Sequence, residues 1–143
     1  FVARLNASTG AVVWAKAVGT PFDLERGSGY ETGRGIELSS DGGVVVVGQI
    51  NDPTATFGPD GAVHIRFDPD TGAILAHSTL LDIQVAAASL DRLSTGQMVA
   101  SGTRAFGDGQ GNPHMWLLDP VSLLVDWRRE YNTGTSFGHD AIE

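Results

Sequence analysis

The chain has no cysteine among its 143 residues. That removes disulfides, thiolate zinc sites, haem attachment and cysteine nucleophiles together, and it leaves the compartment open. There is one lysine, Lys16, against eight arginines, and the formal net charge is -8. A phosphate binder needs a basic surface, so no nucleic acid partner is expected, and an anionic membrane surface is disfavoured for the same reason. No apolar run approaches the roughly 18 residues of a membrane helix, so no membrane insertion is expected. No basic segment precedes an apolar one in the manner of a signal peptide. Capped stretches of helical period are lacking too. The chain starts at Phe1, without Met and already inside a repeat, and so reads as a piece of something longer.

What the chain does have is glycine, 19 residues of it, with six prolines and 8% aromatics. That composition suits many short strands joined by turns. The stretch Val63 to Leu75 reads as strand, tight turn, strand, and it occurs three times. Phe1 to Val13 aligns with it without a gap at an offset of 62 residues (Phe1 to Val63), with Arg4/Arg66, Thr9/Thr71, Gly10/Gly72 and Ala11/Ala73 identical. A worn third copy, Met115 to Val125, lies 51 residues beyond the second (His64 to Met115). A repeat of this size poses the question of a repeat architecture.

Within each copy the first strand alternates with period two, and Ala3/Ile65/Trp116 and Leu5/Phe67/Leu118 share one face. Ser8-Thr9-Gly10 and Asp70-Thr71-Gly72 are turns whose glycines supply positive φ. The return strand, Ala11 to Val18 in the first copy, keeps Val12/Ile74/Val125 and Trp14/Ala76/Trp127 in register, so Trp14 and Trp127 are expected as equivalent packing residues. Between copies lies a second pair of strands. Ile36 to Ser39, the turn Asp41-Gly42-Gly43 and Val44 to Ile50 form one pair, the Val44 to Val47 run suggesting burial on both faces. Ala88 to Leu93, the turn Thr95-Gly96-Gln97 and Met98 to Arg104 form the other, at an offset of 54 (Asp41 to Thr95). Naming the strands A to D, the chain holds C-D, A-B-C-D, A-B-C-D and the start of an A, where Ala141-Ile142-Glu143 echoes Gly35-Ile36-Glu37. The fold expected is all-β: four-stranded antiparallel β-propeller blades in a partial propeller. The single segment 1–143 divides into a half blade with a long loop (1–34), blades at 35–81 and 82–131, and the start of the next at 132–143.

The residues Phe-Val-Ala-Arg-Leu-Asn-Ala-Ser-Thr-Gly-Ala-Val-Val-Trp-Ala-Lys (1–16) and Gly-Ile-Glu-Leu-Ser-Ser-Asp-Gly-Gly-Val-Val-Val-Val-Gly (35–48) resemble the bacterial-type β-propeller repeat called SBBP. Related NHL and PQQ-type propeller repeats share parts of the pattern, so the resemblance implies the fold more than any one function. Ala76 stands where the repeat has Trp, Leu123 stands where it has the turn Gly, and the loop at 19–34 is longer than its counterparts. Thr9-Gly10-x-x-x-Trp14 is also similar to the tryptophan-docking repeat of PQQ dehydrogenases. This chain holds fewer than three blades, and it has no Cys for the vicinal disulfide common in the alcohol dehydrogenases.

Asp68-Pro-Asp70-Thr-Gly72 has the alternating carboxylates of a calcium loop but lacks a third acidic ligand and a distal Glu. Asx bonding of Asp68 and Asp70 to their own turn is the plainer reading. The four histidines, His64, His77, His114 and His139, form no pair at ligand spacing, and no metal, catalytic residue or cofactor is expected. Gly107 to Gly111 lies between strands, with no helix N-terminus to hold a phosphate. Asn6-Ala7-Ser8 is a glycosylation sequon in an exposed turn.

In an antiparallel meander the A–B and C–D turns fall on one rim and the B–C and D–A connections on the other. The second set, at 19–34, 51–62, 82–87, 106–114 and 132–140, includes every long loop, and long loops on a rigid scaffold are the usual seat of binding. The expected partner-binding rim comprises Phe22, Asp23, Glu25, Arg26, Tyr30, Glu31 and Arg34, with Phe57, Phe106, Asp108, His114, Phe137 and His139 in or beside the other loops. The expected function is a non-catalytic binding or structural module with a protein or glycan partner, in an extracellular or cell-envelope setting. The alternative is a segment of a propeller enzyme, a PQQ-dependent dehydrogenase or a propeller lyase or hydrolase. A propeller cut within a blade exposes sheet edges, so the chain is also expected to associate or to belong to a larger assembly.

Overall fold

The computed structural model describes residues 1–18, 30–51, 61–80, 85–105 and 111–131. They form ten strands: β1 (Val2–Leu5), β2 (Val12–Lys16), β3 (Tyr30–Leu38), β4 (Val44–Asn51), β5 (Gly61–Phe67), β6 (Ile74–Leu80), β7 (Val85–Arg92), β8 (Met98–Ala105), β9 (Gly111–Leu118) and β10 (Val125–Glu130). All pairing is antiparallel between neighbours in the chain. The strands make a first sheet β1-β2, a second sheet β3-β4-β5-β6 and a third sheet β7-β8-β9-β10. The all-β class and the expected run of two, four and four strands are therefore realised. The further strand expected in 132–143 lies outside the described residues.

Four strands begin earlier than side-chain alternation indicates. β3 starts at Tyr30, β5 at Gly61, β7 at Val85 and β9 at Gly111, so the connections expected at 19–34, 51–62, 82–87 and 106–114 are shorter than read. The cause is backbone pairing. Tyr30 to Gly33 carry no apolar alternation, yet they sit opposite Asn51 to Gly48 and continue the β3–β4 ladder, which needs only N–H and C=O groups.

The repeat extends to irregularities that alternation does not reveal. Between β1 and β2, β5 and β6, and β9 and β10 the register slips at the same place in all three copies, leaving Val13, Leu75 and Asp126 as the extra residues. β3 and β7 carry a second equivalent bulge, at Arg34 and Ala88. A bulge bends its strand and increases the local twist, which lets successive sheets nest face to face. The turns repeat as closely. Asn6, Asp68 and Asp119 each accept, at Oδ1, the N–H groups two and three residues on, at 2.7–3.1 Å. Each turn then closes through a residue at positive φ: Gly10 (70°), Gly72 (68°) and, in the third copy, Leu123 (59°).

The second sheet is the middle layer. On one side Val44, Val46 and Ile50 of β4 and Val63, Ile65 and Phe67 of β5 pack with Trp14 of the first sheet. On the other side Val45, Val47 and Ala62 pack with Ala87, Leu90, Met98, Ala100, Trp116, Leu118 and Leu123 of the third. The valine run Val44–Val47 is thus buried on both faces, each residue feeding one of two cores. At about 1.5–3 kcal/mol for each fully buried aliphatic side chain, these two seams are the main source of stability. β7 lies against β3, β4 and β5. There Gly35 is needed for close approach, since a Cβ on it would stand 2.7 Å from the Leu90 nitrogen.

Candidate functional site

The registers place the connections on two rims. In the second sheet Leu38, Val44, Phe67 and Ile74 stand side by side at one end, where the tight turns are, and Tyr30, Asn51, Gly61 and Leu80 mark the other. The third sheet repeats this, with Arg92, Met98, Leu118 and Val125 at the tight-turn end and Val85, Ala105 and Gly111 at the other. Ser40 of one tight turn lies beside Gly96 of another, so those ends of the second and third sheets form a common rim. The strand ends that lead into the long connections point the opposite way.

Of the expected rim residues, Phe22, Asp23, Glu25, Arg26, Phe57, Phe106, Asp108, Phe137 and His139 lie outside the described residues. Tyr30, Glu31 and Arg34 belong to β3 rather than to a loop, and Arg34 is its exposed bulge residue. His114 is a buried β9 residue, only 4% exposed, and not a rim contact. Gly111 and Asn112 pair with Ala105 and Arg104 and so start β9 three residues before it, which places His114 well inside the ladder. Asn6 remains in an exposed turn, its Oδ1 engaged by Ser8 and Thr9 N–H.

Asp68 behaves as an Asx residue, accepting from Asp70 and Thr71 N–H and from the Thr71 hydroxyl. The Thr71 hydroxyl, first, and its N–H hold the carboxyl below the usual range. Asp70 does not bond its own turn as expected; it pairs with Arg4 of the first sheet at 2.7 Å. In the turn 39–43, Asp41 is bonded by the Ser39 hydroxyl, by Gly43 N–H and by Arg66. These hold its carboxyl at about 2, the Ser39 hydroxyl contributing most. Both acidic turns are thus stitched into neighbouring structure. Among the described residues no three His, Asp or Glu side chains gather in metal-holding geometry.

The seams between sheets hold what sequence spacing could not indicate. At the first seam Trp14 is buried, stacks on Phe67 with ring centroids 6.1 Å apart, and donates from Nε1 to the Pro69 carbonyl at 2.8 Å. Its indole fills the space in which a Cβ on Gly72 would stand, 2.7 Å from Cδ2 and Cε3. At the second seam the equivalent of Trp14 is Ala76 and the equivalent of Gly72 is Leu123. Leu123 is fully buried, in the cluster against which Ala76 packs. Large and small have exchanged sides: tryptophan over glycine at one seam, alanine beside leucine at the next. Both departures from the repeat are one substitution, made in two parts. Trp127, the third member of the series, is 41% exposed and is not the buried packing residue expected. No described turn lies over it in the way the turn 68–72 lies over Trp14.

The second seam also contains a polar relay. Trp116 Nε1–H donates to His64 Nε2 at 2.8 Å, His64 Nδ1 meets the Ser78 hydroxyl at 3.0 Å, and that hydroxyl donates to the Leu123 carbonyl at 2.8 Å. The acceptor role of Nε2 assigns the proton to Nδ1, which fixes one neutral tautomer. Burial pushes the imidazole down to about 4. The relay is closed at both ends: the Trp116–His64 and Ser78–Leu123 bonds join the second and third sheets, and the His64–Ser78 bond links them within the second.

An open groove of ≈ 480 Å³ runs between the first and second sheets, with Val2, Ala3, Trp14, Ile36, Leu38 and Val44 in its walls. It follows the edge of β1, which among the described residues pairs only with β2. Ile36 and Leu38 are more than half exposed along it. Arg4 and Glu37 also line it, and the rest of its walls are mainly apolar. Among the described residues no helix is long and apolar enough to cross a membrane. Comparison with family models and with curated proteins finds no match.

Proposed function

We propose that the chain is a non-catalytic binding or structural module, its sheets being blades of a β-propeller repeat of the SBBP kind within a larger assembly. The partner is protein or glycan, met at the rim that carries the long connections, in an extracellular or cell-envelope setting. One observation carries the reading: successive meander sheets stack face to face in repeated register, with all tight turns at one end and the long connections leaving from the other. Long connections leaving one end of a packed scaffold are the usual seat of binding. The buried polar groups support it too. Trp116 bonds His64 and Ser78 bonds the Leu123 carbonyl across a seam, so their chemistry goes into holding sheets together.

The test is a loop graft. Because β3 begins at Tyr30, the graft replaces 20–29 with a short Gly-containing turn and spares the Tyr30–Gly33 ladder. The grafted and unaltered chains are compared on the same glycan array and by hydrogen exchange with any ligand found. The expected result is an unchanged melting transition with weakened binding. Protection confined to the tight-turn rim, with binding indifferent to the graft, would contradict the proposal.

A further inference from the structure

Each of the two outermost faces of the stack exposes a large side chain in the register that is buried inside. On the third sheet, Trp127 of β10 stands where Trp14 and Ala76 stand at the two internal seams, and it is 41% exposed. Leu117, beside it on β9, is only 7% exposed, so the exposure of this face centres on Trp127. On the first sheet, Phe1, Ala3 and Leu5 occupy the positions of Val63, Ile65 and Phe67, which form the first seam. Leu5 is instead 55% exposed. Gly10, the equivalent of Gly72, has φ +70° and open space around the point where a Cβ would stand. One face therefore offers a partly exposed indole, and the other an uncovered glycine turn of the kind that covers an indole at the first seam.

We infer that these faces are the two halves of one head-to-tail contact between copies of this chain, the turn Asn6–Gly10 of one copy seated over Trp127 of the next. The internal seam is the template. Trp14 donates to the carbonyl of Pro69, and its counterpart for Trp127 is the carbonyl of Ala7. The ion pair that crosses the first seam, Arg4 with Asp70, has Leu117 and Ser8 at its equivalent positions, so the contact buries no unpaired charge there. Ala3 and Leu5 would come against the β9–β10 face that carries Leu117 and Trp127. The contact is heterologous, using different patches on the two copies, and so builds an open row or a ring rather than a closed pair. It concerns the sheet faces and is independent of what the long-connection rim binds.

The second seam supplies the test, since it shows how the pair can be exchanged. Sedimentation velocity over a concentration series is run on the 143-residue chain and on two variants, Trp127→Ala and Gly10→Leu. Leu123 already holds leucine at φ 59° in the equivalent turn, so Gly10→Leu is compatible with the fold, and near-UV circular dichroism checks both variants. The unaltered chain should associate, and each variant alone should associate at least roughly tenfold more weakly, as hot-spot loss does. Mixing the two variants should restore association. Trp127 of one then meets Gly10 of the other, and at the alternate contacts the introduced alanine meets the introduced leucine in the manner of Ala76 and Leu123. A chain that stays monomeric overturns the inference. So does association indifferent to both substitutions, or a mixture no stronger than its components.

Discussion

The exchange of bulk between the two seams can be tested within one chain. Trp14→Ala removes a buried indole and its bond to the Pro69 carbonyl, at a cost of about 3–5 kcal/mol. Gly72→Leu puts a side chain where Trp14 stands, 2.7 Å from its ring carbons, on a left-handed backbone. The backbone costs about 1–2 kcal/mol and the overpacking about 1–3 kcal/mol more. If the sites were independent, the double variant would lose about 5–10 kcal/mol, enough to unfold an ordinary domain. The second seam predicts otherwise, because Ala76 and a buried Leu123 coexist there on the same turn geometry. The leucine side chain introduced in the turn should enter the space that the indole leaves. Urea unfolding of the four chains should give a favourable coupling of about 2–3 kcal/mol, toward the upper end for residues in contact. Additivity within about 0.5 kcal/mol would refute the reasoning.

Stability should fall as the pH drops from 6.5 to about 4, because the unfolded chain protonates His64 first while the folded chain holds its imidazole neutral. The full loss is about 3 kcal/mol, and urea unfolding across that window should flatten in a His64→Asn variant. Below it the lowered carboxyls of Asp41, Asp68 and Asp119 add their own acid loss, since each favours folding only while ionised. Gly35→Ala should cost about 1–3 kcal/mol by pushing β3 away from Leu90. Gly33→Ala, whose Cβ would meet nothing closer than 3.7 Å, should cost less in the same thermal melts. Trp127→Ala, measured under dilute conditions, should stay within about 1 kcal/mol of the unaltered chain.

The strands were legible because their residues report on themselves. Leu5, Phe67 and Leu118 repeat one alternation at fixed offsets, and Gly10, Gly72, Gly42 and Gly96 mark turns by the positive φ that each adopts. The bulges at Val13, Leu75 and Asp126 were not legible, since an extra residue in a strand looks like ordinary chain until its partner is known. Burial was expected of both tryptophans and holds for Trp14 but not for Trp127, for a related reason. Trp14 and Trp127 occupy the same place in the repeat, but what covers a side chain there is the next sheet's turn. The His64–Trp116 bond joins residues 52 apart on different sheets, and no local pattern predicts such a pair. Of the expected rim residues, Tyr30, Glu31, Arg34 and His114 lie in strands rather than in the loops that polarity suggested, because ladder pairing has only the backbone to satisfy.

The central claim is that successive sheets stack through equivalent residues, tight turn against the preceding return strand. A single NOESY spectrum of the chain tests it most directly. The Gly72 Hα that points where a Cβ would stand faces the Trp14 indole, so it should be shifted upfield by the ring and show cross-peaks to it. The Trp116 indole N–H should show cross-peaks to the His64 ring, whose nitrogen accepts it at 2.8 Å. Gly72 Hα at its ordinary shift, with both indoles lacking contacts to the neighbouring sheet, would contradict the account.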